Sequence, residues 1–182
     1  MDCLHCSVNC CSHFILPLSK KEYESFSKDF PNHPVKIFPN FALVEAPCPY
    51  FKEGVGCARY ETRFRTCRSF PVSIIPSKEE MFVVIREFCP KHTKLTLEEV
   101  RQMTNDAIIE YTVSVSMPEE EYTLISQYKS NHSMDNLENP VYKYATEHNS
   151  ATIYGTIPHP AMKQDVLKIR KELQKLGEID PY

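Results

Sequence analysis

Cys3-Leu4-His5-Cys6-Ser7-Val8-Asn9-Cys10-Cys11 places four cysteines within nine residues. A two-residue spacer lets one tight turn aim two thiolates at a single ion, so Cys3-x-x-Cys6 reads as a metal-ligand knuckle with Cys10-Cys11 behind it. Four more cysteines follow at Cys48, Cys57, Cys67 and Cys89, and none lies beyond residue 89. In an exported chain an even count would suggest disulfides. Met1-Asp2-Cys3-Leu4-His5-Cys6 has neither a basic n-region nor an apolar h-region, so a cytoplasmic, reducing setting is expected. At 182 residues the chain can bury a core without disulfide staples. Metal ligation is therefore the expected use of Cys3, Cys6, Cys10, Cys11, Cys48, Cys57, Cys67 and Cys89. A redox dithiol or inert buried thiols are the alternatives.

Outward from this knuckle, local signals place the elements. Ser19-Lys20-Lys21-Glu22 is a capping box that opens a helix over Lys20–Asp29, stopped by Pro31 and Pro34. Tyr23, Phe26 and Phe30 share its core-facing side. Strands are expected at Phe41–Glu45, Phe70–Ile75 and Met81–Glu87, the last two forming a hairpin through Pro76-Ser77-Lys78-Glu79. Cys48–Cys67 reads as loop, with Gly54 and Gly56 allowing tight backbone just before Cys57.

The second half reads as helical. Thr96-Leu97-Glu98-Glu99 is another capping box, and Leu97, Val100, Met103, Ala107, Ile108 and Tyr111 form an apolar stripe at helical spacing. Further helices are expected from Ser116 to about Tyr128, shortly after Pro140, and over Ala161–Leu176, with a polar linker at Asn131–Asn139. In the last helix Met162, Val166, Ile169, Leu173 and Leu176 repeat over two heptads, too few for a partner coiled coil, so they are expected to pack on the chain's own domain. The fold class that results is α+β. A small cysteine-rich metal-binding core with short antiparallel strands spans residues 1–95, and a helical extension, residues 96–182, packs on it.

The cysteines arrive in a recognisable order. Cys3-x2-Cys6-x3-Cys10-Cys11 is followed by Cys48-Pro49-Tyr50-Phe51, then Cys57-Ala58-Arg59-Tyr60-Glu61, Cys67-Arg68-Ser69-Phe70-Pro71 and Cys89-Pro90 before a helix. This order resembles the YkgJ-like cysteine-cluster family over about residues 1–105. That family is described as zinc- or iron-chelating, or as containing iron–sulfur clusters. Three details differ from its usual pattern: the three-residue spacer before Cys10-Cys11, Arg63-Phe64 in place of Arg-Pro, and no glycine after Cys89-Pro90. No cysteine is missing. The resemblance implies a metal centre, acting in electron transfer or as an accessory to protein modification.

Eight thiolates would serve two Cys₄ zinc sites, two [4Fe–4S] clusters or one of each, and charge does not separate them, because both site types carry −2 when four thiolates are bound. The cofactor expected is an iron–sulfur cluster, of the 4Fe-4S type, or zinc. His5, His13 and His92 lie near cysteines and are secondary ligand candidates. Lys52, Arg59, Arg63, Arg65 and Arg68 crowd the middle cysteines. They read either as a solvated charged loop or as donors to sulfur that offset the site's negative charge. Arg68, directly after Cys67, is the candidate cofactor-binding residue.

Charge limits the partners. The formal net charge is −3, with pI near 6.2, which argues against a general polyanion binder. Residues 1–100 hold 13 basic against 12 acidic side chains, and residues 101–182 hold 8 against 12. A protein partner is expected at the acidic helical half, with neither nucleic acid nor membrane. The longest apolar runs, Phe41–Val44 and Met81–Ile85, are far short of the ~20 residues that span a bilayer. No nucleotide-binding, metalloprotease or hydrolase motif is present, so no reaction can be read from the chain. The alternative to a redox or accessory role is a zinc-stabilised protein–protein interaction module with no redox activity.

Overall fold

The computed structural model describes residues 10–76, 80–87, 89–115 and 151–176, with isolated positions between 119 and 127. They form two compact units. Short antiparallel strands dominate the first half of the chain and helices the second, an α+β arrangement. The expected helix from Ser116, the linker at Asn131–Asn139, the helix after Pro140 and the hairpin turn lie largely or wholly outside the described residues.

In the unit of residues 10–64, strand β1 (Leu16–Ser19) runs directly into helix α1 (Lys20–Asp29), and β2 (Val35–Ile37) and β3 (Phe41–Val44) follow. The sheet order is β1-β3-β2, antiparallel throughout, with Leu16 and Val35 both opposite Val44. The capping box forms as the sequence predicts. Ser19 Oγ accepts from the Glu22 N–H, and Glu22 Oε2 accepts from the Ser19 N–H at 3.1 Å. Pro31, lacking an N–H, prevents continuation after the Phe30 N–H has closed on the Phe26 carbonyl. All four residues of the central strand β3 are buried, so both of its faces are covered. Phe26, fully buried, meets Phe30, His33, Tyr50 and Phe64 at ring-centroid distances of 5.6–6.3 Å. Each such side chain contributes roughly 1.5–3 kcal/mol by leaving water. A hairpin of two-residue strands completes the unit: β4 (Phe51–Lys52) pairs with β5 (Gly56–Cys57). Gly54 and Gly56 adopt φ of 72° and 92°, values that side-chain-bearing residues rarely adopt.

In the unit of residues 65–115 and 151–176, helix α2 (Arg65–Ser69) precedes the hairpin of β6 (Val72–Pro76) and β7 (Glu80–Arg86). Helix α3 (Leu97–Val115), strand β8 (Ala151–Pro158) and helix α4 (His159–Lys175) complete it. β7 lies between β6 and β8 in an antiparallel sheet. β8 was not anticipated, and it gives the helical half a strand of its own. Val83 faces Gly155 and Val84 faces Ile153, so Tyr154 is the extra residue of a bulge. Val72, Val83 and Ile85 pack against Val100, Met103 and Ala107 of α3, the three-and-four spacing that the apolar stripe predicts. Leu97, at the first position of α3, departs from that stripe and stays 54% exposed. In α4, which packs on α3 and β8, Leu173 is buried while Leu176 is exposed. The side chains of Met162 and Val166 lie outside the described residues. Among the described residues no helix is long and apolar enough to cross a membrane.

Candidate metal centre

Cys10 and Cys11 sit on a 3₁₀ turn, Cys10–Ser12, whose Cys10 carbonyl accepts from the N–H groups of His13 and Phe14. Extended backbone would send neighbouring thiols to opposite sides. A 3₁₀ turn separates them by about 120° instead. Cys48 is joined to this turn by its N–H, which donates to the Cys11 carbonyl at 2.7 Å. The Cys48 carbonyl in turn accepts from the Phe51 N–H at 2.9 Å, and Phe51 faces Cys57 across the β4–β5 pair. One continuous backbone network therefore holds Cys11, Cys48 and Cys57, although the segments are far apart in the sequence.

The electrostatics at Cys48 suit a ligand. Burial pushes its thiol above the ordinary value, and the charge of Cys57 adds to that rise. The backbone N–H groups of Tyr50 and Phe51 act on the sulfur in the opposite direction. Such a cradle suits a thiolate that a cation has deprotonated, since donors then face an anion. The set of soft thiol donors fits zinc or iron.

In the other unit, Cys67 is half-buried on α2 and Cys89 is buried after β7. The Cys89 carbonyl accepts from the His92 N–H at 3.0 Å and from His92 Nδ1 at 2.7 Å. A carbonyl only accepts, so Nδ1 is the protonated nitrogen and, in the neutral ring, Nε2 carries the lone pair. That is the tautomer a metal-binding histidine needs. Cys3, Cys6 and His5 lie outside the described residues. Among the described residues no group of three or more His, Cys, Asp or Glu side chains is gathered in an arrangement that could hold a metal ion.

The arginines near the middle cysteines have defined partners. Arg68 donates from Nε and Nη2 to the two oxygens of Asp106 on α3, at 3.1 and 2.8 Å. Arg65 lies 3.9 Å from Glu110, whose other oxygen accepts from Thr66 Oγ1 at 2.8 Å. Arg63 covers the Tyr60 ring at 4.2 Å and donates to the Tyr60 carbonyl. Arg59 lies over the rings of Tyr50 and Phe64, at 5.0 and 4.6 Å. Cys67 also sits on a short helix rather than in the expected loop. Five residues rarely hold a helix alone, and α2 is supported by its packing on α3.

Residues 2–90, just under half of the chain, match the family model CxxCxxCC, described as "Putative zinc- or iron-chelating domain". This stretch is similar to the CxxCxxCC domain. The match agrees with the resemblance read from the order of the cysteines and covers all eight of them. No curated protein and no solved structure matches the chain. Sequence reasoning about the CxxCxxCC domain missed the linkage of Tyr50 to Asp29. Nothing in the local pattern distinguishes Asp29 from any other helix-terminal carboxylate.

Proposed function

We propose that this protein holds a thiolate-ligated metal centre, an iron–sulfur cluster or zinc, built from the cysteines of its CxxCxxCC domain. The observation that carries this reading is the backbone network that ties Cys11, Cys48 and Cys57 together, with N–H groups cradling the Cys48 sulfur. The family description, zinc- or iron-chelating, supports the same chemistry. An iron–sulfur cluster supplies one-electron transfer, whereas zinc supplies structural stabilisation. With a cluster, the role is electron transfer or support of a protein-modifying reaction carried out elsewhere. With zinc, the domain is an interaction module whose acidic second half meets a protein partner. Reduced thiol ligands fit a reducing compartment such as the cytoplasm.

Anaerobic purification of the full chain, followed by metal analysis and a visible spectrum, tests the proposal. A brown protein that bleaches with dithionite establishes the cluster. A colourless protein with stoichiometric zinc establishes the interaction module. A chain that takes up neither metal, with its thiols reduced, overturns the reading.

A further inference from the structure

Tyr50 is 7% exposed and its hydroxyl carries one proton. That proton is donated to Asp29 Oδ2 at the C-terminal end of α1, and the Tyr50 hydroxyl oxygen itself accepts from Arg59 Nη1 at 3.1 Å. Tyr50 stands two residues after Cys48, and Arg59 two residues after Cys57. The main chain repeats the link, because the Ala58 N–H donates to the Tyr50 carbonyl at 2.8 Å. Arg59 also covers the Tyr50 and Phe64 rings, and the Phe30 ring stands edge-on to Tyr50 at 4.7 Å. The Asp29 carboxylate and the Arg59 guanidinium balance in charge around the tyrosine.

We propose that Asp29, Tyr50 and Arg59 form a polar clamp that positions Cys48 and Cys57 for metal ligation, a role that rests on the metal-centre reading above. The three are positioning residues and touch no metal themselves. Cys48 and Cys57 lie on separate segments, and a metal would otherwise have to order both as it binds. The clamp fixes each segment to one buried ring and that ring to α1, so the loss of chain freedom is met on folding rather than on metal uptake. Removing the clamp should therefore weaken metal binding beyond any effect on the metal-free fold.

The experiment is Co(II) titration of the reduced full chain against a competing chelator, following the thiolate-to-cobalt charge-transfer band. Tyr50→Phe, which keeps the ring, should retain the number of cobalt ions bound while affinity falls by about tenfold. Asp29→Asn should do the same, and the double variant should lose no more than the larger single loss, since the residues act as one unit. Asp29 is exposed, so its variant provides the readout if Tyr50→Phe does not fold. Melting of the metal-free variants separates positioning from general destabilisation: the affinity loss should persist where metal-free melting matches wild type. Unchanged Co(II) affinity in both single variants overturns the clamp and leaves the metal centre standing. A wild-type chain that binds no Co(II), zinc or iron overturns the metal-centre reading and the clamp with it.

Discussion

Cys48 donates its backbone N–H to the carbonyl of Cys11 at 2.7 Å, joining the first cysteine turn to the loop that leads into β4. The bond makes the position of one cysteine depend on the other, so damage to either segment should be felt at both.

Cys10→Ser and Cys11→Ser, made separately, should each lower metal content. The 3₁₀ turn splays the two thiols, so they serve different positions and their losses should be spectroscopically distinct. Because a structural metal carries folding free energy, each metal-loaded variant should lose more than the ~0.5–3 kcal/mol of an ordinary substitution. Metal analysis beside thermal melting decides it, and a serine variant with wild-type metal and melting would remove that cysteine from the ligand set.

Metal uptake should weaken as pH falls. Burial holds the Cys48 thiol above its ordinary value of 9.0, so the ion must displace a proton that is still bound at neutral pH. Each proton released lowers apparent affinity by about tenfold per pH unit on the acid side. Chelator competition at a series of pH values measures the slope, and a flat profile would contradict thiol ligation.

At alkaline pH the metal-free fold should weaken through its tyrosines. Burial, reinforced at Tyr50 by the bond to Asp29, raises Tyr50 and Tyr111 above 10.0. A raised value means the protonated ring stabilises the fold. The contribution is complete below the unfolded value near 10 and disappears as pH climbs through the folded values. Tyr50→Phe should flatten part of that alkaline loss in denaturant melts monitored above pH 9.

Arg68→Ala should cost up to about 1 kcal/mol, the scale of a partly exposed ion pair, and should couple to Asp106→Ala in a double-mutant cycle. If Arg68 also serves the metal centre, as its place after Cys67 suggests, Arg68→Ala will shift the reduction potential or charge-transfer spectrum while Asp106→Ala alone will not.

Met103→Ala should destabilise by roughly 2–5 kcal/mol, since its side chain is packed between α3 and the β6–β7 sheet. Leu97→Ala, on the same predicted stripe but 54% exposed, should change stability by less than about 0.5 kcal/mol. Urea melts of the two variants distinguish the stripe's buried part from its solvated end.

The sequence by itself determined the features governed by neighbours a few residues apart. Ser19 with Glu22, and Thr96 with Glu99, mark the starts of α1 and α3 because a capping box closes over four residues. The β6–β7 hairpin and the core spacing of Val100, Met103 and Ala107 were legible for the same reason, as was the likeness to a cysteine-cluster family, whose signature is an order of cysteines. Tertiary structure alone decided what depends on distant chain. Ala151–Pro158 becomes a strand where β7 offers an open edge, and Arg65–Ser69 becomes a helix where α3 supports it. Arg68 meets Asp106, and Tyr50 joins Asp29 to Arg59, only after segments remote in sequence have been brought together. Hydrogen-bond partners are selected by where folded backbone delivers them, and the entropy of closing long loops is recovered by many contacts at once, so no local pattern announces any one of them.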